Sequence, residues 1–246
     1  MKSPNPWLAF PDRLGRFLFP PACLACDEGR ALFRAGGVCP ACWDALPPAA
    51  GTRCAVCDLP IAAPGAAALP RPVCGRCLAE PPAYDALRCP VVYAGAARSV
   101  LKAYKYGGAD YLAPRLAERI AEVLPAHARE AVFVPVPATA RERRERGFFP
   151  AGDLASELAR RAGGSFSRRL LVKTRETARQ ASLPLARRAD NVRGAFRGRP
   201  APPSVVLVDD VATSGATLSA CARALKRRGA QRVDAVAFAR ALPEAP

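Results

Sequence analysis

Eight of the ten cysteines fall into four Cys-x-x-Cys pairs: Cys23/Cys26, Cys39/Cys42, Cys54/Cys57 and Cys74/Cys77. The gaps between successive pairs are 12, 11 and 16 residues. Nothing else constrains this part of the chain as tightly. Two residues between thiolates let both sulfurs of a tight turn face one ion, and a second such turn completes a tetrahedron. Four pairs therefore make two all-sulfur sites for Zn²⁺. Disulfides would need an oxidising compartment, and a redox Cys-x-x-Cys would stand once rather than four times. The pairing is sequential (first with second, third with fourth) or interleaved; spacing allows both. A closed four-sulfur site leaves no position for water, so the zinc is structural. Residues 20–80 carry few large apolar side chains, and metal binding would supply the missing stability. His127, the only histidine, lies outside the cluster and is read as facing solvent. Cys221 falls on an apolar helix face and Cys89 at a strand start; neither is assigned a role.

The 246 residues allow a medium domain beside a small one. The expected division is a short N-terminal helix within residues 1–20, a double zinc ribbon at 21–80 and an α/β domain at 85–242. Half of the residues are apolar, yet no apolar run reaches the roughly 18 residues of a bilayer span. The first 20 residues are interrupted by Asp12, Arg13, Arg16 and prolines, so they read as an amphipathic helix near 12–19, not an export signal. A cytoplasmic protein without membrane insertion is expected. Residues 59–73 form a loop by composition, and residues 78–84 mark the boundary to the second domain.

Beyond residue 85 strands and helices alternate. Residues 87–94, 131–137, 204–210 and 232–240 read as strands, residues 111–124, 150–161 and 217–228 as helices, and residues 97–106 as a helix or its remnant. Residues 138–148 read as a charged loop, and residues 173–190 as polar and aperiodic. Such alternation indicates a parallel sheet with helices on both faces. Ligands of such sheets bind beyond the carboxyl ends of the strands.

At one such end lies VVLVDDVATSGATL, residues 205–218. The loop after the strand leads into a helix N-terminus, where unpaired N–H groups and the helix dipole favour an anion. Gly215 permits close approach of the backbone. The hydroxyls of Thr213, Ser214 and Thr217 add donors. Residues Ala212 to Thr217, including Ala216, thus form a phosphate cradle, although neither a Walker loop nor a dinucleotide turn. Asp209 and Asp210 would repel the phosphate itself. They suit neutral hydroxyls a few ångströms away, as a ribose 5-phosphate offers, or Mg²⁺ held through water. A capping acid with a tolerated neighbour is the plainer reading of an isolated Asp-Asp.

The stretch resembles the phosphoribosyl diphosphate signature of type I phosphoribosyltransferases. Taken with the four cysteine pairs, KYGG (105–108), VPVP (134–137), RERRERGF (141–148) and TRETARQASLPLARRADNVRGAF (174–196), the chain resembles the ComF family, linked to competence and DNA uptake. The likeness spans Phe19 to Arg240. It implies a double zinc ribbon followed by a type I phosphoribosyltransferase-like domain, with Mg²⁺ accompanying the activated sugar. It implies that Asp209 and Asp210 bind the ribose hydroxyls and that residues 212–217 hold the 5-phosphate. Arg144, Arg146 and Lys105 become candidate pyrophosphate-side ligands. Arg175, Thr177, Gln180, Arg188 and Asn191 match the family's flexible segment, a lid over the reacting sugar, with Arg175 joining Asp209, Asp210 and Arg146 as candidate catalytic groups. The family pattern R-G-[FY]-N-Q reads here Arg146-Gly147-Phe148-Phe149-Pro150, so two hydrogen-bonding side chains are missing beside the pyrophosphate loop.

The formal net charge is +16. Residues 141–199 carry 16 Lys/Arg against 6 Asp/Glu, so most of the excess sits there. Such a segment suits polyphosphates or nucleic acid; a general bias toward arginine is the plainer explanation. The partners expected are therefore phosphoribosyl diphosphate or another ribose phosphate and, in an alternative non-catalytic role, single-stranded DNA and the uptake machinery. Only Phe148, Phe149, Phe166 and Phe196 are available in the segment to stack on bases.

Overall fold

The computed structural model describes residues 23–26, 37–177 and 188–243. The helix expected near residues 12–19 lies outside the described residues. In chain order the elements are α1 (Pro40–Asp44), α2 (Gly75–Ala79), β1 (Ala86–Arg88), β2 (Val91–Val92), α3 (Gly95–Tyr106), α4 (Ala113–Ala121) and β3 (Val132–Pro135). They continue with α5 (Ala140–Arg146), α6 (Pro150–Ala162), β4 (Ser165–Phe166), β5 (Leu171–Lys173), α7 (Arg188–Val192), β6 (Phe196–Gly198), β7 (Ser204–Ala212), α8 (Ala216–Lys226) and β8 (Arg232–Arg240).

The main sheet is parallel and has the order β1–β8–β7–β3–β4, with β2 also paired to β8. β7 is central, matched at Val208 to Val236 on one side and to Pro135 on the other. β5 and β6 make a separate antiparallel pair. Side chains alternate between faces along each strand. Phe133, Val206, Val208, Val236 and Phe238 therefore join one core with Leu101, Leu116, Ile120 and Leu154 of α3, α4 and α6. Val134, Val205, Leu207, Ala235 and Ala237 join the other with Leu218, Cys221 and Leu225 of α8. This is the expected α/β architecture with both faces covered.

Several sequence expectations need correction. The charged stretch after β3 is not a loop: α5 runs through it. Glu142 N donates to Thr139 Oγ1 at 3.2 Å, and Thr139 N donates to the Glu142 carboxylate at 2.6 Å. This reciprocal cap starts the helix, and Gly147, at φ 77°, stops it. The strand expected at 87–94 is broken at Cys89-Pro90, because Pro90 has no N–H for the ladder. The helix expected at 111–124 begins as a 3₁₀ turn, Asp110–Leu112. The polar segment 173–190 starts in β5 and ends in α7. His127 does not simply face solvent: three-quarters buried, its Nε2 lies 2.8 Å from Asp234 Oδ2.

The ribbon region is stitched onto β1 and β2. Val92 N donates to Pro47 O at 2.8 Å, Leu87 N to Val56 O at 2.8 Å, and Cys89 N to the buried Asp58 carboxylate at 2.8 Å. Trp43 packs into the core shared by α3 and α4. Among the described residues no helix is long and apolar enough to cross a membrane.

Gly152 illustrates how tightly α6 is seated. A Cβ there would stand 2.3 Å from the Phe149 ring. Gly152→Ala should therefore destabilise the protein by about 1–3 kcal/mol, through displacement of that ring. Urea unfolding of the variant beside the parent checks this.

Candidate functional site

The period of two that builds the cores also decides where the acid pair points. Asp209 continues the phase of Val205 and Leu207, and Asp210 that of Val206 and Val208. The adjacent carboxylates thus leave β7 on opposite sides of its carboxyl end. Asp210 is buried and faces α3, where Lys105 Nζ lies 2.8 Å from its Oδ1. Asp209 faces α8, and its Oδ1 accepts the Asp210 N–H at 2.9 Å. Burial first, and the Asp210 charge second, push the Asp209 carboxyl up to about 7. Burial works against the Lys105 charge, but Asp210 outweighs it and raises the ammonium's pKa. The two acids therefore differ in setting: Asp210 is paired with Lys105, and Asp209 holds its proton more tightly than a free carboxyl.

Beyond the acids, Thr213 and Ser214 turn the chain into α8. Gly215 sits at φ 79° as its N-cap, a conformation that other residues rarely adopt. Ser214 Oγ accepts the Ala216 N–H at 3.3 Å. The first-turn N–H groups of α8 lack intrahelical partners, and this helix end stands at the carboxyl edge of the sheet. A cavity of about 330 Å³ opens there, lined by Lys105, Asp209, Asp210, Ala212, Thr213, Gly215 and Thr217, with Thr177 at its border. Ser214 is buried and Ala216 half-buried behind the cradle.

The opposite wall was not foreseen. Lys173 of β5, nearly buried, pairs with Glu142 of α5 at 3.1 Å, and both line the cavity. The Thr139-x-x-Glu142 spacing was the available signal for the helix that carries Glu142; Lys173 carried none. Phe149 lines this cavity and a second one of about 440 Å³ beside it. Arg143, Arg168, Lys173 and Arg175 line the second. The structure places Arg175 there, its guanidinium donating to the carbonyls of Asn191 (3.0 Å) and Arg193 (2.8 Å). Arg144 is exposed on α5. The side chains of Arg146 and Arg188, and Gln180 as a whole, lie outside the described residues. At the departure from the family pattern, Pro150 opens α6 and its carbonyl accepts the Tyr104 hydroxyl at 2.9 Å.

The cysteines form two clusters, Cys23/Cys26/Cys39/Cys42 and Cys54/Cys57/Cys74/Cys77, with the sulfurs of each within 4.8 Å of one another. The pairing is sequential. The Cys57 and Cys74 sulfurs are 3.6 Å apart, close to the roughly 3.8 Å edge of a tetrahedron with 2.3 Å Zn–S bonds. Cys23 Sγ accepts N–H groups of Cys39 (3.2 Å) and Ala25 (3.4 Å); Cys54 Sγ accepts those of Cys74 (3.3 Å) and Cys57 (3.5 Å). Burial raises these two thiols, but the N–H bonds prevail and bring Cys23 to about 6 and Cys54 to about 7. Both donor sets fit a closed structural zinc site. Cys89 and Cys221 are buried and belong to neither cluster.

Comparison with known proteins accords with this geometry. Residues 14–78 match the double zinc ribbon domain and residues 144–244 the phosphoribosyl transferase domain. DNA utilization protein YhgH of Salmonella typhimurium is 31% identical over 231 residues, covering 91% of this chain and 98% of that protein. The chain belongs to the ComF family. The Escherichia coli K12 member is 32% identical over 183 residues, covering 69% of this chain and 78% of its own length. Orotate phosphoribosyltransferase from Aeropyrum pernix aligns over 56% of this chain and 62% of that one, at 21% identity and a TM-score of 0.29.

Two measurements check this site. Metal analysis should find two zinc equivalents per chain, and Cys54→Ser/Cys74→Ser should retain one. For Asp209, the folded state keeps a proton that the unfolded chain, near 3.8, has already released. Stability should therefore fall as pH rises from about 4 to 7. Asp209→Asn should stabilise the protein by about 1–2 kcal/mol at pH 8, discounted for partial exposure, with little effect below pH 4. Thermal unfolding across pH reads this directly.

Proposed function

We propose that this ComF-family protein binds phosphoribosyl diphosphate with Mg²⁺ in the cytoplasm and transfers its 5-phosphoribosyl group to an acceptor nucleophile. The observation that carries the reading is the juxtaposition of Asp209, Asp210 and the 212–217 cradle at the mouth of one cleft. The sugar's 5-phosphate would lie at the N-terminus of α8, where donors and dipole favour it. Its 2- and 3-hydroxyls would meet the acids, of which Asp209, near its titration point, accepts or donates. Mg²⁺ would neutralise the pyrophosphate oxygens and hold the departing group.

In the reaction the bond from the anomeric carbon to the pyrophosphate oxygen breaks, and the pyrophosphate leaves with the electron pair. The acceptor's lone pair forms the new bond, and its proton passes to solvent or to pyrophosphate. The chain's contribution is position and charge. Lys105, Arg144 and Arg146 are the candidates to face the pyrophosphate side, and Arg175 to close the segment over the sugar. Phe149 and Pro150 supply no side-chain hydrogen bond here. Calorimetric titration should show phosphoribosyl diphosphate binding that requires Mg²⁺ and weakens at least about 100-fold in Asp209→Asn/Asp210→Asn. Unchanged affinity in the double variant would end this reading.

A second reading is favoured by the second cavity, whose lining includes Arg143, Arg168, Lys173 and Arg175. These belong to the basic segment 141–199, and the relatives are named for DNA utilization. In this reading the segment holds single-stranded DNA during uptake, in place of catalysis or beside it. Binding should then weaken by about 0.7 log units per log unit of salt for each phosphate contacted. No binding of an oligonucleotide at low salt would exclude it.

A further inference from the structure

Arg240 is the largest side chain fully buried among the described residues. It ends β8, in register with Ala212 of β7. Its Nε donates to the carbonyl of Cys57 at 2.9 Å. Its Nη1 donates to the carbonyls of Ala212 (2.8 Å), Thr213 and Ala241 (3.1 Å). One guanidinium thus grips the backbone of a cysteine in the second cluster and the two residues that open the cradle. Burying such a charge is costly unless it is compensated. A Zn²⁺ ion with four thiolates carries a net charge of −2, and the guanidinium lies against that cluster's own backbone.

A second contact runs parallel to the first. Arg76 stands between Cys74 and Cys77 in the last knuckle, and its Nη2 donates to the Ser214 carbonyl. Tyr84, just past the ribbon, closes the back of the turn; a Cβ at Gly215 would stand 2.8 Å from its hydroxyl. Ala83 N donates to Ser219 Oγ of α8 at 3.0 Å. The first cluster has a different setting, with Cys23 and Cys39 packed beside Trp43, Val100 and Leu101 in the opposite core.

We propose that Arg240 and Arg76 are positioning residues that make the second cysteine cluster the rear wall of the sugar-phosphate cradle, so that zinc there and a ribose phosphate stabilise each other. This rests on the ribose-phosphate reading of the site. Both arginines donate to backbone carbonyls of the loop, and neither lines the cavity. By holding those carbonyls back they leave the loop's N–H groups for the phosphate. Release of zinc frees the Cys57 and Arg76 backbone, and the cradle loses its fixed geometry. Thermodynamic linkage requires that the effect run both ways by one factor.

The test uses the full-length, zinc-loaded protein. Zinc occupancy is measured at equilibrium against a graded chelator, with and without ribose 5-phosphate, and ribose 5-phosphate affinity is measured by calorimetry on the same samples. In the parent, ribose 5-phosphate should tighten one of the two zinc equivalents by about tenfold and leave the other unchanged. Zinc at that site should tighten the sugar phosphate by the same factor. In Arg76→Ala, an exposed position that should tolerate truncation, both effects should shrink below about twofold, and Arg76→Lys should restore part of them. Arg240→Lys should weaken the coupling in the same direction if it folds. Zinc tightening that is absent, shared equally by both equivalents, or unchanged in Arg76→Ala overturns the coupling even where ribose 5-phosphate binds. A parent that binds no ribose 5-phosphate, with zinc fully loaded, overturns the site reading and this inference together.

Discussion

A strand buried on both faces and flanked by parallel neighbours governs the second domain. β7 pairs with β8 along nearly its whole length and with β3 through its first half. Parallel pairing requires crossovers, so helices are forced onto both faces and all strand ends of one kind gather at one edge. The carboxyl edge is where the chain leaves the sheet, and there polar groups can appear without disturbing either core. Asp209 and Asp210 are the first charged residues β7 carries, and they come where the apolar run ends.

That edge assembles charges that would be unfavourable apart. Two adjacent carboxylates at the end of a buried strand repel each other; Lys105 from α3 pairs with Asp210, while burial and the Asp210 charge raise the Asp209 carboxyl. Across the cavity, Glu142 and Lys173 form a second pair in the same manner. The site is thereby nearly neutral in its walls while its floor offers N–H donors. A ligand with both hydroxyls and an anionic tail matches that distribution better than a bare anion or a bare alcohol.

The fold explains which parts of this were readable from the chain. The strong strand at 204–210 and the strand at 232–240 were legible because burial on both faces demands an unbroken apolar run. The helices after Gly95 and Pro150 were legible because one buried face demands a period near 3.6. The cysteine clusters were legible because two-residue spacing is a coordination requirement. α5 was hidden: a run of six charged or polar residues shows no apolar stripe, and a reciprocal cap sustains it instead. The break at Cys89-Pro90 was passed over because the apolar pattern continues across it. His127 appeared solvent-facing because its partner, Asp234, is distant in sequence.

The sequence alone determined the longer elements and the chemical inventory: which cysteines stand at metal-ligand spacing, where the acids and the loop after them stand, and that the sheet is parallel. These follow from local rules of spacing, period and capping that act over a few residues. Tertiary structure alone decided the partners. It chose sequential rather than interleaved cysteine pairing, brought Lys105 to Asp210 and Lys173 to Glu142, and set Arg240 between a cysteine knuckle and the loop after β7, 183 residues from one of its partners. Those contacts depend on strand order and on which face of the sheet each helix covers, and no local rule encodes either.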